Sequence, residues 1–191
     1  MTRGSGTMSE RDHSPTLVEK YAARDIVFGG LFLALAVVVP YIFHLAGGGA
    51  LGPIFLPMFL PVVMCGFLTD ARVAIVVGAL APFVSSLLTG MPPIYPVAPM
   101  MSCEGMILGG VASVLYRSFK LNPWLSLGVA AASERLFLAL VISVLTRYFE
   151  IPSRFFTLAV VVHGLAGIAL QFGIVPPMVK ALEKRIGGVR R

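Results

Sequence analysis

The sequence predicts an all-α integral membrane protein with six transmembrane helices and both termini in the cytoplasm. Three observations predict it. First, 57% of the 191 residues are hydrophobic and only 13% are charged, where soluble domains run roughly 45–50% apolar and about 25% charged. The mean hydropathy is +0.89. Second, stretches near the roughly 20 residues needed to cross a bilayer recur along the chain. Third, the connections alternate between basic and uncharged, the pattern left by the positive-inside rule. A formal charge of +6 and a pI near 9.8 fit that orientation rather than nucleic-acid binding, because the basic residues gather at helix ends and termini.

Residues 1–22 are polar, with Arg3, Arg11, Asp12, Glu19 and Lys20 and no apolar core segment. They are expected to form a disordered cytoplasmic tail rather than a cleavable signal peptide. The first span is expected over about Arg24–His44. The second, about Pro53–Leu68, is short and holds Pro57 and Pro61, so a kink or break is expected there. The third, about Ala71–Leu88, follows Thr69–Asp70 directly in a tight hairpin. The fourth covers about Tyr95–Tyr116, the fifth Pro123–Arg147 and the sixth Ser153–Leu182. Residues 23–185 then form one six-helix membrane domain, followed by a basic cytoplasmic tail, 186–191. The AGGGALG loop, the TGMPP loop and the connection with Glu150 face outward. No internal repeat is visible.

Four ionisable residues fall inside these apolar stretches: Glu104, Glu134, Arg135 and His163. Each such charge costs about 2.5–3.5 kcal/mol at a helix centre on the insertion scale, so they are expected to face one another, water or a polar ligand. Glu104 is nine residues from the outer end of the fourth span, and His163 is ten from that of the sixth. Glu134 and Arg135 are eleven and twelve from the inner end of the fifth. Three helices thus bring polar groups to a similar depth. Neighbours on a helix point about 100° apart. Arg135 and Glu104 are therefore expected to face a central cavity, with Glu134 pairing with Arg135 or a neighbouring helix.

Two readings stay open: a ligand site, or an inter-helix Glu–Arg pair that only fixes packing. His163 is either a ligand contact or a hydrogen-bonded core histidine. Gln171 is read as a packing hydrogen bond and His44 as interfacial. The loop TGMPPIYP offers Met91, Ile94 and Tyr95 at the cavity mouth, as a lid or as ordinary turns. Gly30/Ala34 and Gly105/Gly109 have the small-xxx-small spacing of close helix contacts; the first pair suits a partner protein or internal packing. Cys65 and Cys103 are expected to be small buried hydrophobes.

Catalysis is not expected. The chain has no GxxxxGK[ST], HExxH or GxSxG, so neither P-loop ATP hydrolysis nor a zinc protease or serine hydrolase is indicated. No cofactor or metal site is expected. Ser85–Ser86 have no base nearby in sequence.

The run Leu56–Pro93, with PMFLP at Pro57–Pro61 and SSLLTGMPP at Ser85–Pro93, resembles the second and third spans of S-components. These are the substrate-binding membrane subunits of energy-coupling factor (ECF) vitamin importers, a type of ABC transporter. Six spans, about 190 residues and the lack of an ATPase agree, over roughly residues 24–182. The resemblance implies a prokaryotic cytoplasmic-membrane protein that captures a water-soluble vitamin or precursor from outside. Its site is lined by the first and third outer loops and the fourth to sixth helices. Substrate-binding residues would then be Glu104, Arg135, His163, Tyr95, Met91 and Glu134. It also implies a transmembrane coupling protein and two cytoplasmic ATPases as partners. Gly30 and Ala34 match the AxxxA positions that meet the coupling protein, with Gly in place of the first Ala. A buried Arg favours an anion, and the adjacent Glu suggests donors on the ligand; pantothenate-like, pyridoxine-like and larger molecules all remain open. Two rivals to this reading are a scaffolding membrane protein and an autonomous proton-coupled carrier.

Overall fold

The computed structural model describes residues 17–47, 57–148 and 158–186. The rest of both tails, most of the AGGGALG loop and the connection with Glu150 lie outside the described residues. Six helices follow in order: α1 (Leu17–Gly47), α2 (Phe59–Leu68), α3 (Ala71–Thr89), α4 (Val97–Ser113), α5 (Pro123–Tyr148) and α6 (Leu158–Ile186). A π-helical turn, Val114–Ser118, extends α4. No strand occurs among the described residues.

Two boundaries differ from expectation. Helix α1 starts at Leu17, so residues 17–22 extend the first helix and are not part of a disordered tail. Helix α2 has ten residues, about 15 Å of rise, half the roughly 30 Å hydrocarbon core. Pro61 does not kink a longer helix. It is the third residue of α2, in the first turn, where a missing N–H costs nothing. Five described helices, α1 and α3–α6, are long and apolar enough to span.

Helix α2 is apolar on every side, and nine of its ten residues are buried. A helix of that kind belongs inside a bundle. It packs against α1, α3, α4 and α6, while α4 packs against α2, α3 and α5. Glycines set these crossings. A β-carbon on Gly105 would lie 2.7 Å from the Gly78 carbonyl oxygen in α3, and one on Gly66 would lie 2.5 Å from that of Gly109. Gly105 and Gly109 therefore serve internal packing, the first toward α3 and the second toward both α3, where its β-carbon would lie 3.1 Å from the Ala74 carbonyl oxygen, and α2. Pro82, inside α3, has no N–H to give the Gly78 carbonyl, and that is the carbonyl facing Gly105. One turn further on, Ser102 Oγ donates to the Ala79 carbonyl at 2.8 Å.

The α2–α3 hairpin is as tight as expected. Thr69 Oγ1 donates back to the Cys65 carbonyl at 2.8 Å, and Ser113 Oγ donates to the Thr69 carbonyl at 3.0 Å. Asp25 of α1 is buried beside it. Its Oδ2 accepts the Asp70 N–H at 2.9 Å and lies 3.4 Å from Arg117 Nη1, while Oδ1 lies 3.5 Å from Arg24. One carboxylate thus joins α1, the start of α3 and the end of α4.

At the other end of α3, Gly90 takes a left-handed φ of 74°, the usual glycine exit from a helix. Ser85 Oγ donates to the Met91 carbonyl at 2.7 Å and Ser86 Oγ to the Pro92 carbonyl at 2.5 Å. These hydroxyls tether the TGMPP loop to α3. The two cysteines part company: Cys65 is buried, but Cys103 is exposed on the outer face of α4 and is not the buried hydrophobe expected.

Candidate functional site

Three helices meet at one polar point. Helix α4 brings Glu104, 5% exposed, and α5 brings Glu134, 2% exposed, with Arg135 beside it. Glu134 and Arg135 are neighbours in sequence, yet the long arginine side chain turns back so that Nε lies 3.1 Å from Glu134 Oε2. The contact is an ion pair without an aligned hydrogen bond, and Glu134 Oε1 has no partner. Glu104 lies within side-chain hydrogen-bonding reach of Glu134, and both carboxyls feel the Arg135 charge.

Helix α6 supplies the wall. Gly164 packs directly under the Arg135 guanidinium: a β-carbon there would sit 2.6 Å from its central carbon and 2.7 Å from Nη1. His163 precedes Gly164 in α6, and its side chain lies outside the described residues, as does that of His44. Two turns along the same face of α6, Gln171 is 3% exposed and its Oε1 has no hydrogen bond. It does not make the packing hydrogen bond expected through that atom.

Glu134 pairs with Arg135, one of the two arrangements expected for it. Glu134 is the most buried of the three and is central to the cluster, in contact with both Glu104 and Arg135. The Arg135 charge is already engaged by Glu134 on one side. Met91 and Tyr95 lie apart from the cluster. Tyr95 is 84% exposed in the turn before α4, and about 10 Å of helix separates the start of α4 from Glu104.

A second feature lies along α1. Gly30 and Ala34 are exposed, among the exposed apolar residues Ile26, Val27 and Leu31. An open groove of about 360 Å³ runs between α1 and α3, lined by Ile26, Gly29, Gly30, Leu33, Arg72 and Val73 among others.

The family described as ECF transporter, substrate-specific component, matches residues 24–179. The chain belongs to this family. No curated protein and no solved structure matches it. The match takes in Glu104, Glu134, Arg135 and the Gly164 beneath them, and the α1 groove. This S-component is thus a multi-pass membrane protein and a substrate-binding subunit of an ECF transporter. Proteins of this family bind small-molecule substrates, are generally non-catalytic, and work with a coupling protein and ATPases.

Two residues escaped sequence reading. Gly164 had no signal of its own, because its role depends on a side chain reaching from α5. Asp25 was not singled out; its contacts with the Asp70 N–H and Arg117, 45 and 92 residues away, are tertiary.

Proposed function

We propose that this S-component captures a small water-soluble molecule, a vitamin or its precursor, at the Glu104–Glu134–Arg135 cluster, and delivers it inward through a coupling protein and two cytoplasmic ATPases. One observation carries the reading. Two buried carboxyls and the partly buried Arg135 guanidinium, from α4 and α5, converge over a glycine of α6, with a Glu134 oxygen left without a partner. A pair that served packing alone would be expected to close its hydrogen bonds, since an unsatisfied buried acceptor costs about 1–3 kcal/mol. His163 is assigned to the same site. Met91 and Tyr95 would cover it from the outer loop, whose carbonyls are tethered by Ser85 and Ser86.

Partner docking is assigned to the exposed face of α1 at Gly30 and Ala34, where the groove leaves room for an apolar helix. Both termini then lie in the cytoplasm, in the prokaryotic cell membrane. The chain alone binds but does not pump.

The test is ligand binding to the purified chain. Arg135→Ala is expected to weaken binding while membrane insertion and yield stay normal. Normal affinity in that variant would remove the cluster from the substrate site.

A further inference from the structure

Helices α1 and α3 touch and then part. A β-carbon on Gly29 would lie 2.6 Å from Val73 Cγ1, so the two helices are in contact there, whereas one on Gly30 meets nothing within 4 Å. The opening beside Gly30 is the groove of about 360 Å³. Its walls are apolar, with Ile26 and Leu33 from α1 and Val76 and Leu80 from α3. Ile26, Val76 and Leu80 are exposed, so the groove opens away from the bundle and toward the bilayer. None of Glu104, Glu134 and Arg135 lines it.

One lining residue is charged. Arg72 is the second residue of α3, a helix long and apolar enough to span, so it sits at the head-group level of one leaflet. The α3 residues of the groove run from Arg72 to Leu80, about 12 Å of rise. That is close to the hydrocarbon depth of one leaflet, half of the roughly 30 Å core. The groove thus follows the course of a lipid, from a head group down toward the midplane.

The charge at its mouth is unspent. Arg72 is exposed, and among the described residues its side chain makes no hydrogen bond or ion pair. Arg24 and Arg117 differ: both are engaged by Asp25, at 3.5 and 3.4 Å. Asp70, the acid nearest to Arg72 in sequence, does not line the groove. A guanidinium matches phosphate oxygens bidentately. Apolar packing alone discriminates little between lipids with the same tails, so the head group decides which one stays, and basic pockets between membrane helices select anionic head groups.

We propose that the α1–α3 groove is a site for one anionic phospholipid, its phosphate on Arg72 and one acyl chain running past Gly30 between the two helices. In the orientation proposed above, this is the cytoplasmic leaflet, which carries the anionic surface. The site is independent of the substrate cluster. It shares the α1 face assigned to partner docking, so the lipid occupies the groove of the free subunit and leaves when a partner helix enters.

The experiment uses the full chain, stripped of lipid in detergent. Phosphatidylglycerol or phosphatidylethanolamine with the same acyl chains is added, and native mass spectrometry counts the lipids retained. The expected result is one phosphatidylglycerol held about fivefold or more tighter than phosphatidylethanolamine, the effect of one basic residue on an anionic lipid. Arg72→Gln should abolish that preference, and Arg72→Lys should keep most of it. Gly30→Leu should lower retention of both lipids, because the leucine fills the groove. All three variants should melt with the wild type, since Arg72 is exposed and Gly30 faces open space.

Equal retention of the two lipids by the wild type overturns the proposal. A preference that survives Arg72→Gln overturns it too, by placing the head group at another basic residue. Normal retention in Gly30→Leu does the same, because the acyl chain then lies outside the groove. Each of these results leaves the substrate cluster and the partner face as they stand.

Discussion

The Arg135 guanidinium of α5 rests on the Cα of Gly164 in α6, with no room between them for a methyl group. The atoms in the way are the far end of a flexible side chain, so a larger residue at 164 displaces the guanidinium rather than the helix. Gly164→Ala is therefore expected to fold and insert normally but to lose substrate affinity by about tenfold or more, since Arg135 can no longer hold its place beside Glu134. Thermal stability of the empty protein together with equilibrium binding checks this. A large loss of stability with unchanged affinity would make the contact a packing contact only.

Gly105 presents the opposite case. Its added β-carbon meets the backbone of Gly78, which cannot rotate away. Gly105→Ala must push α3 and α4 apart, and overpacking of this kind costs about 1–3 kcal/mol. The expected outcome is a lower melting temperature for the empty chain, with affinity also falling because Glu104 is the preceding residue on α4. If Gly105→Ala melts as wild type does, the crossing is looser than the geometry implies.

These glycines also indicate what was legible beforehand. Glu104, Glu134 and Arg135 stood out because charge is rare in hydrocarbon, and their similar depth on two helices could be counted from the helix ends. Gly105 and Gly109 stood out by spacing. Neither clue says which neighbour a side chain meets. The turning back of Arg135 onto Glu134 depends on rotamers, so the arginine was read as a clamp for an anion. Gly164 was invisible because membrane helices are rich in glycine. Helix α2 was read as a broken span because Pro57 and Pro61 are visible in sequence, whereas its placement among four helices is a tertiary fact.

Asp25 ties together three elements at the end of the bundle away from the cluster. Arg117, its partner, is 13 residues beyond Glu104 along α4 and its π turn, about 20 Å away. Asp25→Ala leaves the Asp70 N–H and the Arg117 guanidinium without their acceptor, which costs about 1–3 kcal/mol. The melting temperature should fall, while substrate affinity of the folded fraction should stay within about twofold of wild type. A loss of affinity matching the loss of stability would show that this end of the bundle and the substrate cluster are coupled.

Gly30 tests the partner face separately from the substrate site. A β-carbon there meets nothing within 4 Å, and the groove beside it is open. Gly30→Leu therefore fills the groove without straining the chain, and glycine replacement in a helix removes a penalty of about 1 kcal/mol rather than adding one. Stability and substrate binding should be unchanged or slightly improved. Co-purification with a coupling protein and its ATPases should fall sharply, because a leucine at 30 occupies the space a partner helix would enter. Ala34→Leu, one turn along the same exposed face, should act in the same direction. If both variants assemble normally, the docking surface lies elsewhere on the bundle. If Gly30→Leu instead loses substrate, the groove belongs to the substrate path rather than to a partner.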